Sequence, residues 1–474
     1  MTVPHRRGFE TQREEVTGRS LPVEGDLPAW LTGRYVGNGP GQFEVGDRTL
    51  GHWFDPLAMV RGFAIDDGVT YTNRFVRSRD YEFAQEHGRV RTQFPGTAPD
   101  RPVWTRVRQA LTGDFPDNPV IGVARIDGEL AAITESPVAL TLDPDTLETT
   151  GRVDLTESLD ADLTLGHPHY DPWRECLVNL GVSYGRETSY TLFRRGGASV
   201  APTTTVALDD APYVHSFALT ERYAVLPAMP FGLDPTKLLL GAVTGTTFVD
   251  SFARFDRPGE FVVVDRETGA VAARNRVDPL FVYHHANAFP DGDELVVDLV
   301  GYRDQRAVTD LTLGNLRSDS PTVPRGDLKR YRLPLDGGRA TGETVREGHM
   351  EFPVIDYPAR LGESYDRLYV AEADGGSALP TRLARVSVPE GEAVTWEASG
   401  GFPGEPIFVR APADDDTDGV VLSVVLDPET DGSFLVVLDA TDMEELARAT
   451  LPHRLPYGFH GQFYAADDPV RSMA

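Results

Sequence analysis

The sequence predicts an all-β fold built from repeated hairpins, and three observations carry that expectation. Long amphipathic helical patterns are scarce, and apolar residues alternate or run in short stretches, as strands require. Turn formers are dense: 46 Gly and 36 Pro in 474 residues are too many for a helical bundle. One unit also recurs, in which a strand closes on an acid, a polar turn follows and a second strand returns. It stands at Leu140-Thr-Leu-Asp143, at Phe261-Val-Val-Val-Asp265 and at Phe434-Leu-Val-Val-Leu-Asp439. Weaker echoes stand at Leu333-Pro-Leu-Asp336 and Val386-Ser-Val-Pro-Glu390. Hairpins repeated in this way fit a β-propeller, whose radial blades expose only short edges, and a large sandwich with insertions would share the local pattern. With no linker and no break in composition, residues 1–474 read as one domain.

One segment departs from the strand pattern. Residues 101–111 place Trp104, Val107, Ala110 and Leu111 at helical spacing, with Pro102 suited to a first turn and Gly113 to a stop. Such a helix either packs its stripe on the body or touches a membrane. In the second case Trp104, Val107 and Leu111 make the contact, with neighbouring arginines at headgroup depth.

Charge narrows the partners. The chain carries 45 basic and 73 acidic residues, a net of −28, so nucleic-acid phosphates would be repelled. Lysine occurs only at Lys237 and Lys329, and acids cluster at Asp414, Asp415 and Asp416. A surface of this kind repels itself unless salt screens it, which points to a halophilic protein of an ion-rich cytoplasm. The single cysteine, Cys176, excludes an intrachain disulfide and a thiolate metal cluster. Residues 1–7 lead into polar sequence without an apolar signal core, and no apolar run approaches the ~18 residues of a membrane span. The expected location is cytoplasmic, at most peripheral on a membrane.

The eleven histidines sort by context. His5, His87, His349 and His453 read as exposed or structural. His52, His167, His169, His215, His284, His285 and His460 lie in apolar or turn-rich strand contexts. No HExxH occurs, which excludes a helical zinc-protease site. Candidates spread along most of the chain are what a propeller axis needs, because each blade sends one inner strand to the centre. Neutral imidazole is the usual ligand for iron, zinc and copper.

Several ordered motifs resemble the carotenoid cleavage oxygenases. They are Leu27-Pro-Ala-Trp-Leu-Thr-Gly33, Asn38-Gly-Pro-Gly-Gln-Phe-Glu-Val-Gly46, His52-Trp-Phe-Asp55 and Tyr71-Thr-Asn-Arg-Phe-Val-Arg77. Glu405-Pro-Ile-Phe-Val409 and Tyr457-Gly-Phe-His-Gly-Gln-Phe463 continue the likeness over nearly the whole chain. Spacing and phrasing are most similar to the animal branch, that of the β-carotene oxygenases and the retinal pigment epithelium isomerohydrolase. The resemblance implies a seven-bladed β-propeller, with short helices and loops capping one Fe(II) held on the axis by four histidines.

Carried over residue by residue, the resemblance selects His167 in Gly166-His-Pro-His-Tyr and leaves His169 aside. It selects His215 in Tyr213-Val-His-Ser and His460 in Gly-Phe-His-Gly, whose glycines let backbone crowd the axis. In Tyr283-His-His-Ala-Asn, adjacent strand residues face opposite sides, so one of the pair reaches a metal. The family pattern favours His284 over His285. It also implies three glutamates that orient the imidazole rings: Glu135, Glu351 and Glu405. Thr134 resembles a threonine that crowds an open metal position and steers O2. His52 matches a motif without being a ligand and reads as structural. The chain departs from the family at Gly37, Pro56 and Pro290, none of which is a candidate ligand.

The implied activity is cleavage of a carbon–carbon double bond of a carotenoid or apocarotenoid with O2, releasing aldehydes of the retinal type. Phe231, Leu239, Phe248, Phe252 and Tyr283 are candidates for an apolar substrate tunnel. Competing readings are cleavage of a stilbene-like olefin on the same iron, retinoid ester isomerohydrolysis, and a propeller binding module without metal.

Overall fold

Strands here are continuously apolar because most are buried on both faces. In Gly259–Asp265, Phe261 and Val263 pack toward one neighbouring sheet while Val262 and Val264 pack toward the other. Side chains alternate in direction without alternating in polarity, as they must between stacked blades. The computed structural model describes residues 3–114, 116–157, 159–185, 187–197, 199–208, 210–413 and 418–466, without the side chains at 110, 111, 235, 239 and 242. The acidic cluster at Asp414, Asp415 and Asp416 therefore lies outside the described residues, as do the side chains of Leu111 and Leu239.

Seven sheets of four to six strands form the blades of a propeller, antiparallel except where Gly338–Arg339 joins the fourth blade parallel to Val271–Val277. Blades two to six follow chain order, with strands spanning 122–154, 163–208, 218–277, 281–346 and 350–397. The first blade joins distant parts of the chain. Val16–Ser20 is its outer edge, and Gly461–Ala465 pairs with Gly33–Gly37 as its inner edge. Val23–Gly25 adds an outer strand to the seventh blade against Glu445–Thr450. The ring is thus latched twice, and the latch in the first blade holds the strand that begins immediately after His460.

The recurring acids have a physical role. Each ends the third strand of a blade and turns its side chain back onto the following loop. Asp143 Oδ1 accepts the N–H groups of Asp145 and Thr146, and Asp265 Oδ1 accepts those of Glu267 and Thr268. Asp439 Oδ1 accepts the N–H of Thr441. These are Asx turns, which supply a hairpin reversal with partners for its free amides. The repeat seen in the sequence is therefore the outer hairpin of several blades.

The expected helix is present at Val103–Thr112, after Pro102, and stops at Gly113 with φ +64°. Of its stripe, Trp104 is exposed and Val107 half-buried, and the side chains of Ala110 and Leu111 lie outside the described residues. Thr105 and Gln109 are buried, while Val103 and Trp104 face outward, Trp104 at 70% exposure. Two further helices were not expected. Arg79–His87 has a Ser78 cap but buries only Asp80 and Ala84, so it shows no apolar period. Pro235–Thr244, capped by Asp234, carries three successive leucines that read locally as a strand. Leu240 and Val243 of this helix are also exposed, and the Arg106 guanidinium donates to the Val243 carbonyl.

The surplus of acids makes one prediction. With 73 acidic against 45 basic residues, repulsion should be relieved as salt rises. The melting temperature should therefore climb by several degrees between about 0.1 and 2 M KCl. A melting curve followed by circular dichroism across that range tests it, and a flat response would remove salt adaptation.

Candidate metal centre

Six blades bring one histidine or glutamate each from or beside an innermost strand, and the second blade adds Glu135 just past Glu129–Ile133. In chain order the seven are Glu135, His167, His215, His284, Glu351, Glu405 and His460. One ring nitrogen from each of the four histidines falls in a cluster whose atoms all lie within 4.8 Å of one another.

Three of the rings are held from behind by carboxylates. His215 Nδ1 lies 2.7 Å from Glu135 Oε1, His284 Nδ1 2.5 Å from Glu351 Oε2, and His460 Nδ1 2.7 Å from Glu405 Oε1. An ionised carboxylate, the form a dication at the cluster would favour, only accepts, so that each Nδ1 carries its ring's proton and each Nε2 presents a lone pair. The His284 Nε2 is buried with no hydrogen-bond partner among the described residues. His167 and His215 bring their Nε2 atoms to 3.0 Å. Converging lone pairs repel one another unless something positive lies among them. The donor set fits a transition metal that accepts imidazole, and Fe(II) suits it.

The carboxylates are themselves positioned. Glu135 Oε1 also accepts the Tyr213 hydroxyl at 2.7 Å, and Glu351 accepts the Tyr302 hydroxyl at 2.5 Å and the Phe352 N–H at 2.7 Å. Glu405 Oε2 accepts the Gly461 N–H at 2.7 Å. A side chain at Gly461 would meet the Tyr35 ring at 2.5 Å, so only glycine lets this amide approach. Phe352 has φ +57°, a strained conformation for an aromatic residue, and its ring stands 5.8 Å from that of His284 and 5.3 Å from that of His460.

Burial dominates the titration of the site. It drives His167 and His460 well below the ordinary histidine value, helped by the neighbouring rings, and lowers His215 against the opposing pull of Glu135. These rings stay neutral, as ligation requires. Burial pushes Glu405 up to about 8. It acts on Glu351 in the same direction, but His284, the Tyr302 hydroxyl and the Phe352 N–H together hold that carboxyl below its usual range. A dication at the cluster would favour the charged form of both.

Two cavities flank the histidines. The larger, about 540 Å³, reaches His167, His284 and His460 and is walled by residues such as Ile355, Tyr357, Ile407, Phe408 and Phe463. The smaller, about 100 Å³, reaches His215, His284 and His460 between Trp53, Phe54, Tyr283 and Leu379. Phe352 borders both.

The remaining candidates fall as follows. His169 is spent on other partners, with Nε2 2.8 Å from the Phe217 carbonyl and Nδ1 2.8 Å from the Tyr357 hydroxyl. His285 bonds Ser216 rather than joining the cluster. His52 is fully buried and bonds the Val308 carbonyl through Nε2 at 2.9 Å, as a structural residue does. Thr134 is half-buried beside Glu135, with its carbonyl accepting the Ser136 N–H, and borders neither cavity. Of the tunnel candidates, Tyr283 lines the smaller cavity. Phe231, Phe248 and Phe252 line neither and are corrected here to core residues. Phe248 and Phe252 pack edge-on against the Tyr213 ring, at 6.0 and 5.3 Å, and so brace the tyrosine that holds Glu135.

Tyr213, Tyr302 and Phe352 were not anticipated. Tyr213 stands two residues before His215, a spacing that could have suggested a shared face. Tyr302 reaches Glu351 only through strand register. The Asn38-Gly-Pro motif proves to be a clasp: the Asn38 amide donates to the Pro119 and Gly122 carbonyls, and its own carbonyl accepts from buried Arg61.

The family model described as retinal pigment epithelial membrane protein matches residues 9–465. The chain is 29% identical to β,β-carotene 15,15'-dioxygenase of Mus musculus, covering 96% of this chain and 90% of that protein. It is 33% identical to carotenoid cleavage dioxygenase 8 homolog A of Oryza sativa subsp. japonica, covering 96% and 87%. The fold matches a cobalt-substituted oxygenase of Synechocystis with a TM-score of 0.85 at 25% identity, covering 98% of each chain. A variant of the Synechocystis apocarotenoid oxygenase matches at 0.86 and 26%, covering 98% of this chain and 99% of the other.

Proposed function

Because the chain belongs to the carotenoid cleavage oxygenases, the family of the retinal pigment epithelial membrane protein, we propose that it cleaves a carbon–carbon double bond of a carotenoid or apocarotenoid with O2, giving aldehydes. The observation that carries this reading is the convergence of four imidazole nitrogens, with three of the rings lining a cavity of about 540 Å³. His167, His215, His284 and His460 would hold one Fe(II) per chain. Bound there, iron supplies O2 activation and the redox chemistry of bond scission.

The rest falls to the protein. Glu135, Glu351 and Glu405 keep the ring protons of His215, His284 and His460 on Nδ1, so that the inner nitrogens remain ligands. The apolar walls of the larger cavity take up a polyene and exclude water from it. Phe352, bordering both cavities beside two of the rings, limits how closely the chain of double bonds approaches them.

A panel of β-carotene, apocarotenals and stilbenes, offered to protein purified anaerobically with Fe(II) in high salt, tests this function. Aldehyde products from the polyenes are expected. Stilbene products alone would move the substrate class, and no product from any would overturn the activity.

Delivery of a water-insoluble substrate is proposed to occur at a membrane, by a cytoplasmic protein bound peripherally. Val103, Trp104, Leu240 and Val243 form the exposed apolar faces of two neighbouring helices, with Arg106 between them. Aromatic, aliphatic and arginine side chains together favour headgroup depth. Trp104→Glu with Leu240→Glu should weaken liposome binding and slow turnover of membrane-embedded carotenoid. Turnover in detergent should change far less, and an equal loss in both assays would make the patch a folding element.

A further inference from the structure

The lining of the larger cavity includes two polar side chains that the metal centre does not use, His285 and Asp356. His285 Nε2 and Asp356 Oδ1 are buried and, among the described residues, without a hydrogen-bond partner. Both are acceptors. For Asp356 this follows from its ion pair: the other carboxylate oxygen meets the Arg410 guanidinium, which favours the ionised form. An ionised carboxylate has lone pairs only.

For His285 the proton can be traced. Ser216 Oγ lies 2.6 Å from the Tyr283 carbonyl, which can only accept, so the hydroxyl hydrogen is committed there. The same oxygen lies 2.8 Å from His285 Nδ1 and accepts the His285 backbone N–H at 3.2 Å. With its hydrogen committed, Oγ accepts from Nδ1 as well. The neutral ring therefore carries its proton on Nδ1 and keeps a bare lone pair on Nε2. His169, on the same wall, offers no such atom, because both of its nitrogens are paired.

We propose that His285 and Asp356 read hydroxyl groups on the substrate, so that the protein prefers a hydroxylated polyene to its hydrocarbon or keto counterpart. A hydroxyl brings the donor that each acceptor lacks. A hydrocarbon end leaves the acceptors buried and unpaired, and a carbonyl sets lone pair against lone pair. This rests on the cleavage reading for the kind of molecule in the cavity and adds the functional group that selects it.

The test is anaerobic binding to the iron-loaded protein, followed by quenching of tryptophan fluorescence. The ligands are a 3-hydroxy-β-apocarotenal and its unsubstituted counterpart, and no O2 is present to turn either over. The hydroxylated ligand should bind roughly tenfold tighter. His285→Phe with Asp356→Ala should bring the two affinities together, while His285→Gln, whose amide oxygen accepts, should keep part of the preference. A role confined to folding would weaken both ligands and leave the ratio unchanged. Equal binding by the unaltered protein, as would follow if water satisfies both atoms, overturns the proposal, and so does a preference that survives the double substitution. Selective binding without any cleavage under O2 would instead uphold the proposal and overturn the reaction.

Discussion

Alanine in place of His284 is expected to bring iron content from about one per chain to background and to abolish turnover. The argument is geometric. The His284 Nε2 is buried, has no hydrogen-bond partner among the described residues, and stands in a cluster of four ring nitrogens within 4.8 Å. Removing it opens one corner of the cage and leaves Glu351 charged and buried behind an empty space, with only Tyr302 and the Phe352 amide to satisfy it. His167→Ala, His215→Ala and His460→Ala should behave in the same way. His169→Ala and His285→Ala should retain iron, because those rings bond elsewhere. Metal analysis of the six purified variants decides the matter. Iron lost from His285→Ala and kept by His284→Ala would reverse the assignment of the pair.

The second large effect is expected at the carboxylates. Glu351→Gln should lower iron affinity or kcat/KM by roughly 10–100-fold. Glu351 accepts from three donors, the His284 ring, the Tyr302 hydroxyl and the Phe352 amide. An amide offers one oxygen in place of two and meets one of those donors with an NH2 group. It also removes the negative charge that holds the ring proton of His284 on Nδ1. Glu135→Gln and Glu405→Gln should shift in the same direction, and Tyr302→Phe, which leaves the carboxylate in place, should cost less. Competition against a chelator separates affinity from turnover. Unchanged affinity and turnover in all three glutamine variants would remove the carboxylates from the site.

What could be read in the sequence followed the range of the interaction. The outer hairpins were legible because Asp143, Asp265 and Asp439 act on amides two or three residues away. The helix at Val103–Thr112 was legible from its spacing and its Gly113 stop. The four histidines and three glutamates are separated by most of the chain, and only the resemblance picked them out. Tyr302 stayed hidden because it meets Glu351 through the pairing of strands, which no local pattern encodes. The aromatics around 231–252 were misplaced for the same reason: a run rich in phenylalanine looks alike whether it lines a cavity or fills the core beside Tyr213.

The latch between Gly461–Ala465 and Gly33–Gly37 also sets a schedule for biosynthesis. A ribosome releases His167, His215 and His284 well before His460, which comes 176 residues after His284. At roughly 5–20 residues per second that interval lasts on the order of ten seconds or longer. Until it ends, the nascent chain offers an incomplete chelate, and Gly33–Gly37 stands as a bare strand edge open to pairing with other chains. The same few residues then cover that edge and deliver the fourth imidazole. On the iron reading, metal uptake would thereby be tied to having translated the whole ring, and a chain cut short before residue 460 would be both unmetallated and prone to aggregate.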